Sequence, residues 1–434
     1  MKAQRQRPGK HINLIIKAIK SIKATNKPIN PETLMDDGMI ECIHEDQVFI
    51  ISGSEAVATF TRLTTNIQCQ PEWEGKFSEK YISTKLRKIL AALSSQTPES
   101  LIPQLENFVE HLQSFQKVQE CVMPIQGLKL EVEELHLGSI TFRPADQQQL
   151  DHLRERAEKT ILTMKLSDDE KQHWLLHYRK VIEERLGAFD TLAFSKSIAE
   201  VDQARVNALD AIDMVLNVLR FFAPYTQDFP EYVGLGLPGN FSKAAYSSFV
   251  FSEDGSFNTD FPSSGRHLPF KVDKEFLELH GNSLKSFSEI IANPTRTELE
   301  NRILVAIQWA GKAQSDSQPQ QQLLSLITAL ECLLNPTDGR PFRIGLSESA
   351  ALLIGKEDLG QRVRLFDFLA SMYDKRSKVS HGGSIDIANS EIRSLQGITG
   401  AVIMKIVGVR ANFMTRKELE SCLGRARLGA TLDL

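Results

Sequence analysis

The sequence predicts a mainly α-helical protein: a C-terminal helical bundle, preceded by a mixed α/β N-terminal region and a helical middle. Three observations carry this. After Pro144 apolar residues recur at three- and four-residue spacing along most of the chain, and most of the alternating, strand-like runs come before it. Leu323–Leu334, LLSLITALECLL, is apolar nearly all round, as a helix buried on every side must be. The 434 residues suit two or three cores, and the pattern changes divide them at 1–145, 146–273 and 274–434.

With 41% hydrophobic and 24% charged residues the composition is that of a soluble globular protein. Fifty-one basic against fifty-five acidic residues give a net charge of -4, which excludes a surface coated with nucleic-acid-binding charge. Any such site must be local. The five cysteines, Cys42, Cys69, Cys121, Cys332 and Cys422, form no CxxC pair and read as reduced thiols. No run approaches eighteen apolar residues, and Lys17, Lys20 and Lys23 interrupt the apolar N-terminal stretch, so neither a bilayer span nor a signal peptide is expected. The expected compartment is the cytoplasm, with no membrane partner.

Residues 1–31 carry Lys2, Arg5, Arg7, Lys10, Lys17, Lys20, Lys23 and Lys27 and no acid. Ile12, Ile15, Ile16, Ile19 and Ile22 fall at helical spacing, predicting a basic amphipathic helix over about 11–24. It reads first as a docked surface helix with solvated lysines, with an RNA-gripping arm or membrane-surface attachment as alternatives. Met39–Ile51 predicts a hairpin turning at His44-Glu45-Asp46. Helices over 79–92 and 101–115 and strands over 128–135 and 140–143 complete the mixed region. Helices follow over 146–164, 167–186 and 199–222. Between Ala223 and Val272 Pro and Gly interrupt the pattern, and 247–252 and 268–272 are candidates for extended chain. Helices over 274–291 and 297–312 come next, the latter opening on the capping pattern Thr295-Arg296-Thr297-Glu298. Gln314–Gln320 reads as a mobile connector. Helices over 323–334, 343–354, 359–373 and 387–410 make the bundle.

Several motifs carry little. Gly234-Leu235-Gly236-Leu237-Pro238-Gly239 fits G-x-G-x-x-G, yet no strand precedes it, no helix opens at its third glycine, and Asn240 stands where a phosphate loop needs lysine. An irregular loop is the expectation. His173 and His177 stand four apart on a predicted helix with no cysteine or HExxH glutamate beside them, so they read as a helix face and not a metal pair. No G-x-S-x-G elbow is present. No metal or other cofactor is expected.

The stretch Tyr373-Asp374-Lys375-Arg376-Ser377-Lys378-Val379-Ser380-His381-Gly382-Gly383 is different. A permanent cation, Arg376, and an imidazole, His381, stand five positions apart and are followed at once by a glycine helix terminator. The plain reading is a helix C-terminus whose basic residues complement the dipole. The chemical reading is a ribonuclease centre. On an ideal helix five residues turn through about 140 degrees, so the two side chains point apart, and two copies facing across a two-fold axis would bring both pairs to one cleft.

Together with Ala329-Leu330-Glu331-Cys332-Leu333-Leu334 and the 343–354 helix, this stretch resembles the HEPN superfamily, specifically its Apea-like branch. The likeness covers roughly the last third of the chain. It implies a HEPN-like α-helical bundle that dimerises and acts as a metal-independent endoribonuclease, as a regulated toxin or an effector of defence against phage, with RNA as substrate. It implies Arg376 and His381 as catalytic residues, supported by Ser377, Glu331 and Tyr373, with Lys375 and Lys378 binding the RNA backbone. In active members the residue after the arginine is often Asn, Asp or His; Ser377 departs from this but still donates a hydrogen bond. The N-terminal region would then sense a protein or phage trigger. The alternative is a non-catalytic HEPN-type module that dimerises and binds RNA or protein.

Overall fold

A computed structural model describes residues 9–26, 39–226, 233–238, 248–251, 257–260, 268–336, 339–355, 358–382 and 385–431. Lys2, Arg5, Arg7, Lys27, Gly239, Asn240 and Gly383, used above, lie outside them. Fourteen α-helices among the described residues make the protein mainly α. The chain divides into two compact units, residues 1–121 with 196–209, and residues 122–195 with 210–434.

In the first unit α1 (Gly9–Thr25) lays Ile12, Ile15, Ile19 and Ile22 on the core and leaves Lys10, Lys17, Lys20 and Lys23 exposed. The isoleucine spacing makes one apolar stripe, so burying it turns the lysines to water. Lys20 pairs with Glu99 at 2.7 Å. The hairpin is β1 (Met39–His44) and β2 (Gln47–Ser52), with His44 opposite Gln47. Next come α2 (Ser54–Gln68), α3 (Glu79–Leu90) and α4 (Ile102–Ser114), which close a core containing Phe60, Trp73, Phe77, Leu86 and Leu105. Glu200 fixes the distant 196–209 segment to this unit: its buried carboxylate accepts from the backbone N–H groups of Ser78, Asp202 and Gln203 at 3.1, 3.0 and 2.8 Å.

The second unit holds the bundle and most of the residues of the sheet. Strands β3 (Val118–Ile125), β4 (Leu128–Leu130), β5 (Leu135–Leu137), β6 (Ile140–Pro144) and β7 (Thr191–Ile198) give a four-stranded sheet ordered β3-β7-β6-β5, with β4 outside it. The β5–β6 and β6–β7 pairs are antiparallel. Helix α5 (Gln147–Thr163) and the π-helical turn that follows α6 (Asp168–Val181) cover Leu192 and Phe194, with Leu150 and Leu153 from the helix and Ile182 from the turn. Helix α7 (Val201–Thr226) brings Ile212, Leu216 and Leu219 to the main core. The glycine pattern is structural. Gly127 has φ +72, and a Cβ there would lie 1.5 Å from Gly234 O, so only glycine lets the two backbones exchange bonds between Gln126 and Gly236 at 2.9 and 3.0 Å. The buried Arg220 Nε donates to Leu235 O at 2.9 Å and completes this role.

After β8 (Ser248–Phe251) and β9 (Phe257–Asp260), β10 (Phe270–Val272) pairs parallel to β4. The bundle is α8 (Lys274–Ala292), α9 (Glu298–Ser315), α10 (Pro319–Leu334), α11 (Phe342–Ile354), α12 (Leu359–Ser380), α13 (Asn389–Val409) and α14 (Arg416–Arg427). Helix α10 is its axis, with Leu323, Leu326, Ile327, Leu330 and Leu333 all buried, as its all-round apolar sequence requires.

Three local expectations are corrected. The capping box of α9 is Thr297 with Glu300, which donate and accept reciprocally at 2.8 and 3.1 Å, while Thr295 turns to Asn293. The polar connector shrinks to 316–318, since Gln314 is helical and buried against Gln396. Helix α12 runs past Tyr373 to Ser380, because nothing from Asp374 to Ser380 breaks a helix and the first αL residue is Gly382, φ +80. Among the described residues, 389–412 is the stretch long and apolar enough to cross a membrane, and half of it is buried within the unit, as in a core helix.

Candidate active site

The extension of α12 makes the basic motif the last two turns of a packed helix. Arg376 is therefore held by helix geometry and not by a loop. One turn earlier Tyr373 lies under it, with the guanidinium carbon 5.7 Å from the ring centroid. Facing both is Glu331 of α10. Its Oε1 accepts from the Tyr373 hydroxyl at 3.0 Å, and its Oε2 stands 3.3 Å from Arg376 Nη2. The carboxylate is largely shielded, 15% exposed, and the arginine side chain is 29% exposed. A charge so placed needs its partner, so one acid in an otherwise apolar helix fixes both residues of α12. The contact uses one of the guanidinium's five donors, and Nε, shielded from water, has no partner among the described residues. Burial, reinforced by the Glu331 carboxylate, pushes the Tyr373 phenol up to about 12, with Arg376 opposing. The tyrosine thus stays a donor throughout the neutral range.

The two residues before Arg376 are tied to other helices. Lys375 Nζ bonds both oxygens of Glu391 at 2.6 and 2.7 Å, and Glu391 Oε2 also accepts from the Ala388 N–H at 3.0 Å at the start of α13. The Lys375 ammonium leads the causes that hold the Glu391 carboxyl below its usual range. Arg343 of α11 places Nε 2.9 Å from Asp374 Oδ1, a charge contact whose N–H is not aligned on the oxygen. Asp374, Lys375 and Arg376 thus engage α11, α13 and α10 in turn.

Of the two lysines expected to meet a phosphate backbone, Lys378 is exposed, whereas Lys375 is committed to Glu391. Ser377 is half-buried. His381 is the C-cap: its backbone N–H reaches Ser377 O and Lys378 O, both at 3.2 Å, and its side chain is exposed. Among the described residues no hydrogen bond or ion pair engages its imidazole. The structure brings Glu331, Tyr373 and Arg376 together, and within one chain it leaves His381 apart, about 140 degrees around the helix.

Sequence reasoning missed Arg343, Asp374 and Glu391 as partners, because each pairing joins different helices. The signal for Glu391 was its place at the third helical position of α13, where an acid caps the backbone. His173 and His177 sit exposed on α6 on either side of Trp174, at 5.9 and 5.7 Å between rings. Among the described residues no three His, Cys, Asp or Glu side chains stand together as metal ligands. Comparison with protein-family models, with curated proteins and with solved structures finds no match to this chain.

Proposed function

We propose that the C-terminal bundle is a HEPN-type, metal-independent endoribonuclease that works as a homodimer. The observation that carries the reading is the Glu331–Arg376–Tyr373 cluster one turn before an exposed, unengaged His381 on the same helix end. Such a fixed guanidinium suits the non-bridging oxygens of a phosphodiester, whose charge grows in the transition state. A neutral His381 takes the proton from a ribose 2′-OH. The O2′–P bond forms, the P–O5′ bond breaks, and an imidazolium protonates the leaving 5′-oxygen, giving a 2′,3′-cyclic phosphate and a 5′-OH. Such acid and base help is worth about 10²- to 10⁴-fold. The substrate supplies the nucleophile, so DNA does not react.

Because Arg376 and His381 point apart on one helix, the reading requires a second copy to complete each cleft across a two-fold axis. The protein then acts as a regulated toxin or anti-phage effector in the cytoplasm, with the N-terminal region answering to a protein or phage trigger. All five cysteines are free thiols, which suits that compartment. Incubating the full chain with single-stranded RNA in EDTA, beside His381→Ala and Arg376→Ala, tests this. Cyclic phosphate ends made by the wild type alone support it, and equal behaviour of the three proteins overturns it. The separation of His381 from Arg376 within one chain favours a second reading, a dimerising module that binds RNA or protein without cutting. It predicts binding in all three proteins and cleavage in none.

A further inference from the structure

We infer that Thr141, His136 and Glu134 form a second catalytic site, a nucleophile, its base and the acid that orients the base, which hydrolyses esters of apolar acyl groups; the inference stands apart from the ribonuclease reading. Strands β5 and β6 make a hairpin in which His136 stands opposite Thr141. Their neighbours Leu135, Leu137, Ile140 and Phe142 are buried in the core, so alternation turns His136 and Thr141 to the other face. Glu134, two residues before His136, is exposed on that face. The three side chains are joined in a row. Glu134 Oε1 lies 2.7 Å from His136 Nε2, and His136 Nδ1 lies 3.0 Å from Thr141 Oγ1. An ionised carboxylate only accepts, so it places the ring proton on Nε2 and leaves the Nδ1 lone pair to receive the Thr141 hydroxyl proton. Glu134 is itself held: Arg143 donates from Nε and Nη2 to its other oxygen, both at 3.3 Å, with the guanidinium over the Phe194 ring. The bond from His136 leads the causes that keep this carboxyl below its usual range. No sequence motif marks the site, because strand pairing assembles it.

His136 also lines a groove of about 390 Å³ whose other walls include Leu277, Gly281, Leu284 and Ala292 of α8. The hairpin is tied to that helix, since the Gly138 N–H donates to Ser288 Oγ at 2.8 Å. The groove has the size of a small-molecule site, and its aliphatic wall suits an acyl chain. Lys285, also on the groove and without a hydrogen bond or ion pair among the described residues, supplies positive charge for a carbonyl oxygen that becomes negative. In the reaction Thr141 Oγ1 attacks the ester carbonyl as His136 Nδ1 takes its proton. The Oγ1–C bond forms, the C–O bond to the alcohol breaks, and the imidazolium protonates the leaving oxygen. Water then repeats the sequence on the acyl-threonine, releasing the acid and restoring the hydroxyl.

The test uses the full chain with the p-nitrophenyl esters of acetate and octanoate. The wild type should hydrolyse both, the octanoate with the lower KM, and acid quenching during turnover should leave the acyl group on the Thr141 peptide in mass spectrometry. Thr141→Val and His136→Asn should each lower kcat/KM about 10²-fold, and Thr141→Ser should retain it. Glu134→Gln should lower kcat with KM unchanged, as expected of a group that acts through His136. A Cβ at Gly281 meets nothing within 4 Å, so Gly281→Leu fills the groove with a good helix former and should abolish the advantage of octanoate over acetate. Hydrolysis that survives in Thr141→Val but not in His136→Asn would be the work of a bare surface imidazole and would overturn the inference. So would a wild type that hydrolyses neither ester, an unacylated Thr141, or a preference for octanoate that persists in Gly281→Leu.

Discussion

Glu331 on α10 and Arg376 on α12 meet at 3.3 Å across 45 residues of sequence, and the same carboxylate accepts from Tyr373. In the proposed ribonuclease the acid is a positioning group, holding the cation through this contact. Glu331→Gln keeps the shape and removes the charge. It is expected to lower kcat/KM by about 10- to 100-fold, since small misplacements of a phosphate-binding group are costly. The contact itself is read by ultraviolet titration, in which Tyr373 should ionise at lower pH in the variant than in the wild type because the Glu331 carboxylate no longer opposes its ionisation.

Tyr373 also gives the fold a dependence on alkaline pH. Its ionisation is pushed from 10 up to about 12 on folding, so the folded state holds the proton more tightly. The stabilisation is complete below pH 10 and is lost as pH rises from there through about 12. The difference in thermal stability between the wild type and Tyr373→Phe should be constant below that window and shift across it. Parallel curves across the whole range would exclude the effect.

The two lysines should separate in salt. Lys378→Ala removes an exposed cation and should weaken RNA binding while reducing the slope of log affinity against log salt by about 0.7. Lys375→Ala should leave that slope unchanged, because its charge is already spent on Glu391. Binding isotherms at three salt concentrations decide between them.

Glu391 caps α13 and holds Lys375, so Glu391→Ala should cost about 1 kcal/mol at neutral pH, measured by urea unfolding. Its carboxyl is depressed below 4.5 in the fold. The contribution is thus present above 4.5 and disappears as pH falls through the depressed value. Wild type and variant should converge in acid.

Much of the bundle was legible because burial leaves a periodic trace. The all-round apolar Leu323–Leu334 had to be central, and the single acid within it, Glu331, stood out as a residue needing a partner. The end of α12 was placed seven residues early, at Tyr373, although helix interiors tolerate Asp, Lys and Arg and only Gly382 compels a left-handed turn. Helix α2 was missed since its four threonines blur the helical preference. Strand β7 was missed because its partner β6 lies some fifty residues earlier in the sequence, and such pairing has no local signature. The links from Arg343 to Asp374 and from Lys375 to Glu391 belong to the same class: each residue is ordinary until the fold chooses its neighbour.

Three successive residues of α12 grip three different helices, and this arrangement sets how the molecule fails. Two grips hold an axis in place, but the third stops it from spinning. Cutting any one of them would let the helix end swivel, carrying His381 and Arg376 together out of register with whatever lies opposite. Harmful substitutions should therefore surface on α10, α11 and α13 as often as on Arg376 and His381 themselves.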